Sequence, residues 1–262
     1  MKSNKIALVL IAGIVLIAAG CKMPPPDEKK AGQRIKHNYI VLLDLSDRLI
    51  IQDDQPNRDK QIIQHLYTAF EKKVRHDLYI KSRDEIKVVI APQRGTSVDS
   101  DVFEDRLYVN MQKIQPLYRR AKEEERRNNF VANLDTLYKE AAFSKNPKAY
   151  HGADIWKYFY EDLKVDYSAD TLTDNFLFIL TDGYPIVGSN QSKLRQIKNE
   201  FPDLHIVLLE ASPREKDMEW DRVMSVWEDW FKQIGIKKYT LIKRGSIRKE
   251  LEQVEELLKT ES

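Results

Sequence analysis

Two stretches of this chain end an apolar run in acidic and hydroxyl side chains. The first, YIVLLDLSDR, spans Tyr39 to Arg48 and carries Asp44 and Ser46. The second, FLFILTDGY, spans Phe176 to Tyr184 and carries Asp182. Carboxylate and hydroxyl oxygens are ligands that a small hard cation accepts, and paired acids also serve in acid–base chemistry. The chemistry open to these residues therefore depends on whether the two stretches meet.

Each apolar run predicts a strand that is buried on both faces, as in a parallel sheet. In open α/β sheets, ligands bind in the crevice beyond the carboxyl ends of the strands. We therefore expect Asp44, Ser46 and Asp182 to meet in one crevice. The alternative is that they cap the following helices or make turns, as Asp and Ser often do at strand ends. Two such ends on separate strands favour the site.

The remaining sequence alternates strand and helix patterns. Strands are predicted at residues 39–45, 86–91, 176–181, 205–210 and 237–242, with a further one at 106–111 that runs back beside its predecessor. Helices are predicted at residues 58–74, capped by Asn57, at 154–163, capped by Asp154, at 190–199, at 215–234 and from 247 onwards. This alternation predicts a three-layer α/β fold, with a mostly parallel, doubly wound sheet and helices on both faces.

A helical insertion is predicted at about residues 112–144. Its run RRAKEEERRNN is interleaved with acids, so it indicates a solvated helix face and not a nucleic-acid site. The spacing predicts i,i+4 ion pairs between Arg119 and Glu123 and between Glu123 and Arg127. On the helix at 215–234, Trp230 lies off the tightest apolar stripe and is the candidate for a protein interface.

The strand that ends Asp-x-Ser and the later strand that ends Thr-Asp-Gly together resemble the von Willebrand factor type A (vWA) domain, over about residues 38–258. The resemblance implies a Rossmann-like vWA fold and a site for a divalent cation, usually Mg²⁺, whose open position a partner's carboxylate fills. In that family the first motif is Asp-x-Ser-x-Ser, a Thr precedes a middle helix, and an Asp follows a later strand. Asp44 and Ser46 match the first two ligands, and Asp182 matches the last acid.

Two positions depart from the family pattern. Arg48 stands where the family has its second Ser, and Ala153 stands where it has the Thr. In one version of the site Arg48 folds over the two acids and replaces the metal, since converging carboxylates need a cation or a proton. In the rival version Asp47 or Asp154 supplies a replacement oxygen to the metal and Arg48 points to solvent. We favour the metal-free version.

The first residues indicate the compartment. Lys2 and Lys5 precede an apolar run from Ile6 to Ala19, which is too short to span a bilayer and is typical of a secretory signal. The following Ala-Gly-Cys resembles the lipobox of bacterial lipoproteins, which implies that Cys21 is lipidated, with palmitate as an expected acyl group. An uncleaved membrane anchor is the alternative. We assign residues 1–20 to the signal peptide, 21–36 to a Pro-rich extracytoplasmic tether and 37–262 to the vWA-like domain.

Composition and motifs argue against several function classes. The formal net charge of +2 favours neither nucleic acid nor anionic lipid by itself, and no Gly-rich phosphate loop supports nucleotide binding. The predicted function is non-catalytic binding of a protein partner in the bacterial cell envelope, in the periplasm or at the surface. The alternatives are a hydrolase that uses Asp44 and Asp182, with His151 beside them, and a purely scaffolding envelope protein.

Overall fold

The computed structural model describes residues 35–46, 48–51, 54–93, 96–143, 152–183, 200–211 and 220–260. Residues Ile35–Ser262 form one compact unit. The signal segment, Cys21 and the tether up to residue 34 lie outside the described residues, as do Asp47, His151 and the helix predicted at 190–199. Within the described ranges, no helix is both long and apolar enough to cross a membrane.

The described strands form one sheet. They are β1 (Lys36–Leu43), β2 (Glu85–Ile90), β3 (Tyr108–Asn110), β4 (Thr173–Leu180), β5 (Leu204–Ala211) and β6 (Lys238–Lys243). Their spatial order is β3-β2-β1-β4-β5-β6, and every neighbouring pair is parallel except β2 and β3. We call the end where the parallel strands finish the carboxyl edge and the opposite end the amino edge. The chain winds outward in both directions from β1 and β4, so this pair is the topological switch point.

Helices cover both faces of the sheet. Their bounds are α1 (Arg48–Ile51), α2 (Gln55–His76), α3 (Ser100–Arg106), α4 (Pro116–Ala121), α5 (Glu123–Phe143), α6 (Ile155–Glu161), α7 (Leu163–Asp166), α8 (Trp220–Gln233) and α9 (Ile247–Thr260). Side chains of α2, α3, α5 and α9 pack on one face. Side chains of α6, α7 and α8 pack on the other. The predicted three-layer α/β class is confirmed.

The burial of β1 explains its unbroken apolar run. Tyr39, Val41 and Leu43 point to the face that carries α2, whereas Ile40 and Leu42 point to the face that carries α6 and α8. All five are at most 1% exposed. A strand that is covered on both faces has no position at which a polar residue is favoured, so its sequence does not alternate.

Two local predictions on helices are wrong. Asn57 lies inside the first turn of α2, which starts at Gln55 with Pro56 in its first positions, where a missing amide hydrogen costs nothing. Trp230 is 1% exposed and lies edge-on against Trp156 and Phe159. Side chains of α6 cover more of the α8 surface than the apolar stripe predicted for α8. Trp230, which lies beside that stripe, is therefore a core residue.

The insertion is helical, but its charges pair differently from the predicted i,i+4 pattern. Arg119 is 7% exposed and donates to the carbonyls of Ile114 at 2.9 Å, Tyr79 at 3.0 Å and Ile80 at 2.7 Å. Glu123 accepts from Arg75 at 2.8 Å, a residue of α2. These contacts are tertiary, because α4 and α5 pack on the end of α2 and do not stand free in solvent.

Replacing Arg119 tests this packing. In Arg119→Met, these three carbonyls and that of Ser82 lose the Arg119 donor, so the free energy of unfolding should fall by about 2–4 kcal/mol. The neighbouring Arg120 is exposed, and Arg120→Met should change stability by no more than about 0.5 kcal/mol. Urea unfolding followed by far-UV circular dichroism measures both. Equal losses in the two variants would show that Arg119 is a surface residue like its neighbour.

Candidate functional site

The carboxyl edge brings the two predicted strand ends together. Leu43 and Leu180 lie opposite each other in the β1–β4 pair. The amide of Asp44 continues the ladder and donates to the Leu180 carbonyl at 3.0 Å. Asp44 and the Thr181–Asp182 segment therefore leave the sheet side by side, as the sequence predicts. This is the switch point of the sheet, which is where ligand crevices of open α/β sheets lie.

The Asp44 carboxylate ties the two strand ends to each other. One oxygen, Oδ1, accepts from the Ser46 amide at 2.9 Å, and the other, Oδ2, accepts from the Thr181 hydroxyl at 2.8 Å. Asp44 and Ser46 are each 3% exposed, Thr181 is fully buried and Asp182 is 6% exposed. Thr181 was not among the predicted site residues. Its signal in the sequence is its place in Thr-Asp-Gly, directly after the apolar run.

Gly183 completes the turn after β4 for steric reasons. Its φ of +92° is in the left-handed region, and a Cβ built there would lie 3.0 Å from both Ala211 Cβ and Val223 Cγ1. The Gly183 carbonyl accepts from the Trp227 indole at 3.0 Å. The turn is thus fixed from the side of α8, and Asp182 is held between two buried residues.

Arg48 does not bridge the two acids as the metal-free version predicts. Its Nε donates to the Asp44 backbone carbonyl at 2.7 Å, and its two terminal nitrogens donate to the Asp59 carboxylate at 3.2 and 2.6 Å. Arg48 is 1% exposed, so it does not point to solvent either, as the rival version requires. Burial alone would lower the pKa of Arg48, but the charges of Asp59 and Asp44 outweigh it and raise that pKa. A permanent cation therefore lies behind Asp44.

The segment aligned with the family's Thr has a structural role. Ala153 is 2% exposed and packs among the apolar side chains under α6 and α8. The amide of Asp154 donates to the Pro92 carbonyl at 2.7 Å, just past the end of β2. As predicted, Asp154 caps α6: its carboxylate accepts from the Lys157 amide at 2.9 Å.

The donor set fits a metal poorly. Both Asp44 carboxylate oxygens already accept hydrogen bonds from protein donors, and the Arg48 guanidinium would repel a second cation beside them. One carboxylate oxygen of Asp154 already accepts the hydrogen bond that caps α6. Among the described residues, no three His, Cys, Asp or Glu side chains are grouped to hold a metal ion. The described side chains thus leave few free oxygens for a metal, and the predicted Arg48 bridge between the two acids is not formed.

A buried network of charges behind the crevice was missed by the sequence analysis. Asp59 accepts from Arg48, from Gln55 at 2.8 Å and from the Tyr138 hydroxyl at 2.9 Å. Gln55 also donates to Glu210 at 2.9 Å. The network therefore links α1, α2, α5 and β5 at the carboxyl edge. Glu210 ends an apolar strand as Asp44 and Asp182 do, and this shared pattern could have identified it.

Glu210 reaches the network through a β-bulge. One extra residue of β5 lies between the pairs Leu208–Leu241 and Ala211–Lys243, and Glu210 has a φ of +65°. Leu208 and Ala211 both pack on the α8 face, so the extra residue turns Glu210 to the face that carries α2 and α9. Bulges commonly re-aim a side chain next to a functional site. The left-handed backbone of a non-glycine residue costs about 1–2 kcal/mol.

Glu210 and Glu250 both accept hydrogen bonds from Arg58. Arg58 donates to Glu210 at 2.7 Å and to Glu250 at 2.8 Å. Burial would raise the pKa of Glu210, but hydrogen bonds, foremost from Arg58, outweigh it and lower that pKa to about 2. Burial and the neighbouring Glu210 raise the pKa of Glu250 to about 7. A proton on Glu250 also gives its otherwise unpaired Oε2 a hydrogen bond to donate.

The first prediction from this network concerns the buried ion pair. Arg48→Met leaves Asp59 buried without its counter-ion, so the free energy of unfolding should fall by about 3–5 kcal/mol. Arg48→Met combined with Asp59→Leu should recover part of that loss, because no charge is then left unpaired. Lys60→Met is the control, since its pair with Asp135 is more exposed and should be worth about 1 kcal/mol or less. A loss for Arg48→Met as small as that of the control would contradict the buried pairing.

The second prediction is a pH dependence of stability. As pH rises from the ordinary 4.5 to about 7, the unfolded chain releases a proton that folded Glu250 retains, so Glu250 makes stability fall over this range. Glu250→Gln, which keeps a neutral donor, should remove that fall. The difference in free energy of unfolding between Glu250→Gln and wild type should therefore shift in favour of the variant by about 1–3 kcal/mol as pH rises from about 5 to about 8. Exposed Glu252→Gln should follow the wild-type profile in urea titrations, and so should Glu250→Gln if no proton is retained.

Comparison with known proteins gives only distant similarity. No protein-family model matches the chain, and no curated protein is significantly similar to it. The pilus adhesin SpaC from Lactobacillus rhamnosus GG matches with a TM-score of 0.47 and 9% identity, over 88% of this chain and 30% of the adhesin. This chain thus spans less than a third of the adhesin's length.

Two further solved structures match at lower TM-scores. Proximal thread matrix protein 1 from the mussel byssus matches with a TM-score of 0.38 and 10% identity, over 86% of this chain and 47% of the matrix protein. The conserved hypothetical protein BatB from Bacteroides thetaiotaomicron matches with a TM-score of 0.37 and 10% identity, over 86% of this chain and 99% of BatB. Similarities at this level assign neither a family nor a function.

Proposed function

We propose that this chain is a lipoprotein of the bacterial cell envelope, tethered outside the cytoplasm through lipidated Cys21, whose vWA-like domain binds a protein partner without catalysis. The partner site is the carboxyl edge at the β1–β4 switch point. The observation that carries the proposal is the hydrogen bond from Thr181 to Asp44, which joins the two motif-bearing strand ends. No nucleic acid or nucleotide is involved.

Asp44 acts in this proposal by positioning the chain and not by direct contact with the partner. Its carboxylate is 3% exposed and is occupied by Ser46 and Thr181. It holds the chain that follows β1 at a fixed distance from the chain that follows β4. The partner is recognised by groups beyond the strand ends, and Asp44, Ser46 and Asp182 form the base of that surface.

Recognition in this proposal needs no divalent cation. The vWA-like family uses a metal to attract a partner's carboxylate, but here Arg48 supplies a permanent positive charge behind Asp44. That charge is already paired with Asp59, so the crevice has little residual positive charge to offer. The partner is therefore not selected by an acidic ligand group, and its affinity should be insensitive to chelators.

The test is a binding measurement with the full-length lipoprotein. A partner is first identified by in-cell crosslinking, and its affinity is then measured for wild type, Asp44→Ala, Asp182→Ala and the control Asp170→Ala, which lies just before β4 at the amino edge. We expect the first two substitutions to weaken binding at least tenfold, about 1.4 kcal/mol, and Asp170→Ala to leave it unchanged. Binding should be equal in EDTA and in magnesium.

Three outcomes would overturn parts of this proposal. Full affinity in folded Asp44→Ala and Asp182→Ala would indicate scaffolding through another surface. Loss of binding in EDTA, together with calorimetric magnesium binding that Asp182→Ala abolishes, would restore a metal site. Phosphatase or esterase activity that Asp44→Asn abolishes would establish a hydrolase instead.

A further inference from the structure

Large apolar side chains are exposed at the amino edge, at the opposite end of the sheet from the proposed partner site. Leu78 is 70% exposed, Ile80 is 66% exposed, Leu117 is 77% exposed and Tyr118 is 43% exposed. The first two lie in the loop between α2 and β2, and the other two lie on α4. We call these four residues the amino-edge patch. Single exposed apolar residues are ordinary, but grouped ones mark an interaction surface.

The patch is held in place by buried contacts. Leu78 and Tyr79 have φ values of +51° and +60°, a conformation that non-glycine residues rarely adopt. Arg119 directly follows Tyr118 and donates to the carbonyls of Tyr79 and Ile80, which ties the loop to α4. The Tyr79 hydroxyl donates to Glu123 at 3.0 Å. The loop therefore turns Tyr79 inward and keeps Leu78 and Ile80 outward against a backbone cost.

The described part of the chain begins near this patch. β1, which starts at Lys36, is the first described element after the tether, and its first residues lie at the amino edge. Asp84 accepts from the His37 amide at 2.8 Å and from the Ser82 hydroxyl at 2.9 Å. The Ser82 carbonyl in turn accepts from Arg119 at 3.2 Å. A short chain of hydrogen bonds thus connects the point of tether attachment to the loop that presents Leu78 and Ile80.

The charges around the patch are mostly basic. Lys81, Lys113 and Arg120 are exposed in the segments that carry the patch. The acids Glu124 and Glu125 follow at the start of α5, and the second pairs with Lys122 at 3.4 Å. Apolar side chains with a basic rim suit the headgroup region of an anionic membrane, where the apolar groups enter the acyl boundary and the cations stay at the phosphates.

We infer that the amino-edge patch rests on the lipid surface to which the tether is attached, with Leu117 and Ile80 inserted and Lys81, Lys113 and Arg120 at anionic headgroups. This inference rests on the proposed lipid anchor at Cys21. The acyl chains on Cys21 hold the protein at the membrane, and an apolar surface with basic side chains adds a second contact that orients the domain on anionic lipid. The docked domain presents its carboxyl edge to solvent, about 25 Å away along β1.

The test uses the full-length lipidated chain in vesicles of equal parts phosphatidylcholine and phosphatidylglycerol. Because Cys21 is blocked by lipid, the single cysteines in Ile80→Cys, Leu117→Cys and the control Val226→Cys can each take an environment-sensitive fluorophore. Val226 is also exposed but lies within α8. Nitroxide-labelled lipids should quench the probes at positions 80 and 117 severalfold more than the probe at 226. Lys113→Gln with Arg120→Gln should reduce that quenching, and pure phosphatidylcholine should reduce it too.

The alternatives give different results. A lipidated, vesicle-bound chain whose three probes are quenched equally overturns membrane contact and leaves the proposed partner site intact. In detergent solution, the probes at positions 80 and 117 could instead become buried as the protein concentration rises. That result would assign the patch to contact with a second copy of the chain and would overturn the membrane contact. A chain whose Cys21 carries no lipid by mass spectrometry and that stays out of the vesicle fraction overturns both this inference and the proposed anchor.

Discussion

The constraint on which the carboxyl edge depends is that charges removed from water must find partners. Arg48 and Asp59 are at most 1% exposed, and a buried ion without a counter-ion costs several kcal/mol. Their pairing fixes α1 against α2. The same requirement accounts for the bulge in β5. The bulge turns the Glu210 side chain to the face of the sheet that carries α2, where it pairs with Arg58. Charge pairing thus holds α1 and α2 together and joins α2 to β5 and α9, which come much later in the chain.

The same constraint applies to Asp44 at the end of β1. Its carboxylate has two donors from the protein, and the guanidinium behind it supplies a favourable field although it is bonded mainly to Asp59. In a metal site of the vWA kind, part of the metal's positive charge remains available to attract a ligand. Here Asp44, Arg48 and Asp59 are bonded within the protein, which makes the strand ends rigid and leaves little charge to select an acidic group. In the proposed function, recognition therefore depends on shape and on polar groups beyond the strand ends.

The sequence predicted the fold well where one signal dominated. Apolar runs set β1, β4 and β5, and the strand-end pattern placed Asp44 and Asp182 at one edge of the sheet. The sequence did not predict side-chain contacts whose partners lie on other elements of the fold. The charges on α4 and α5 fit a solvated helix by spacing, but Arg119 and Glu123 bond to other elements. Arg48 was expected to bind Asp44 and Asp182. It pairs instead with Asp59, eleven residues later, because the first turns of α2 place that carboxylate next to the guanidinium. Spacing within a segment cannot show such competition between partners.

In the proposed function, the two edges of the sheet have different tasks. Parallel strands send both motif-bearing loops to the carboxyl edge, and the same topology sends the first residues of β1 to the amino edge. The first described residues of the domain and the Asp44 carboxylate therefore lie at opposite ends of the sheet. Four of the large apolar residues that are exposed in the described part of the chain lie at the amino edge, where they are costly in water and would suit the proposed lipid contact. In the proposed arrangement, the polarity of a single parallel sheet separates attachment from recognition.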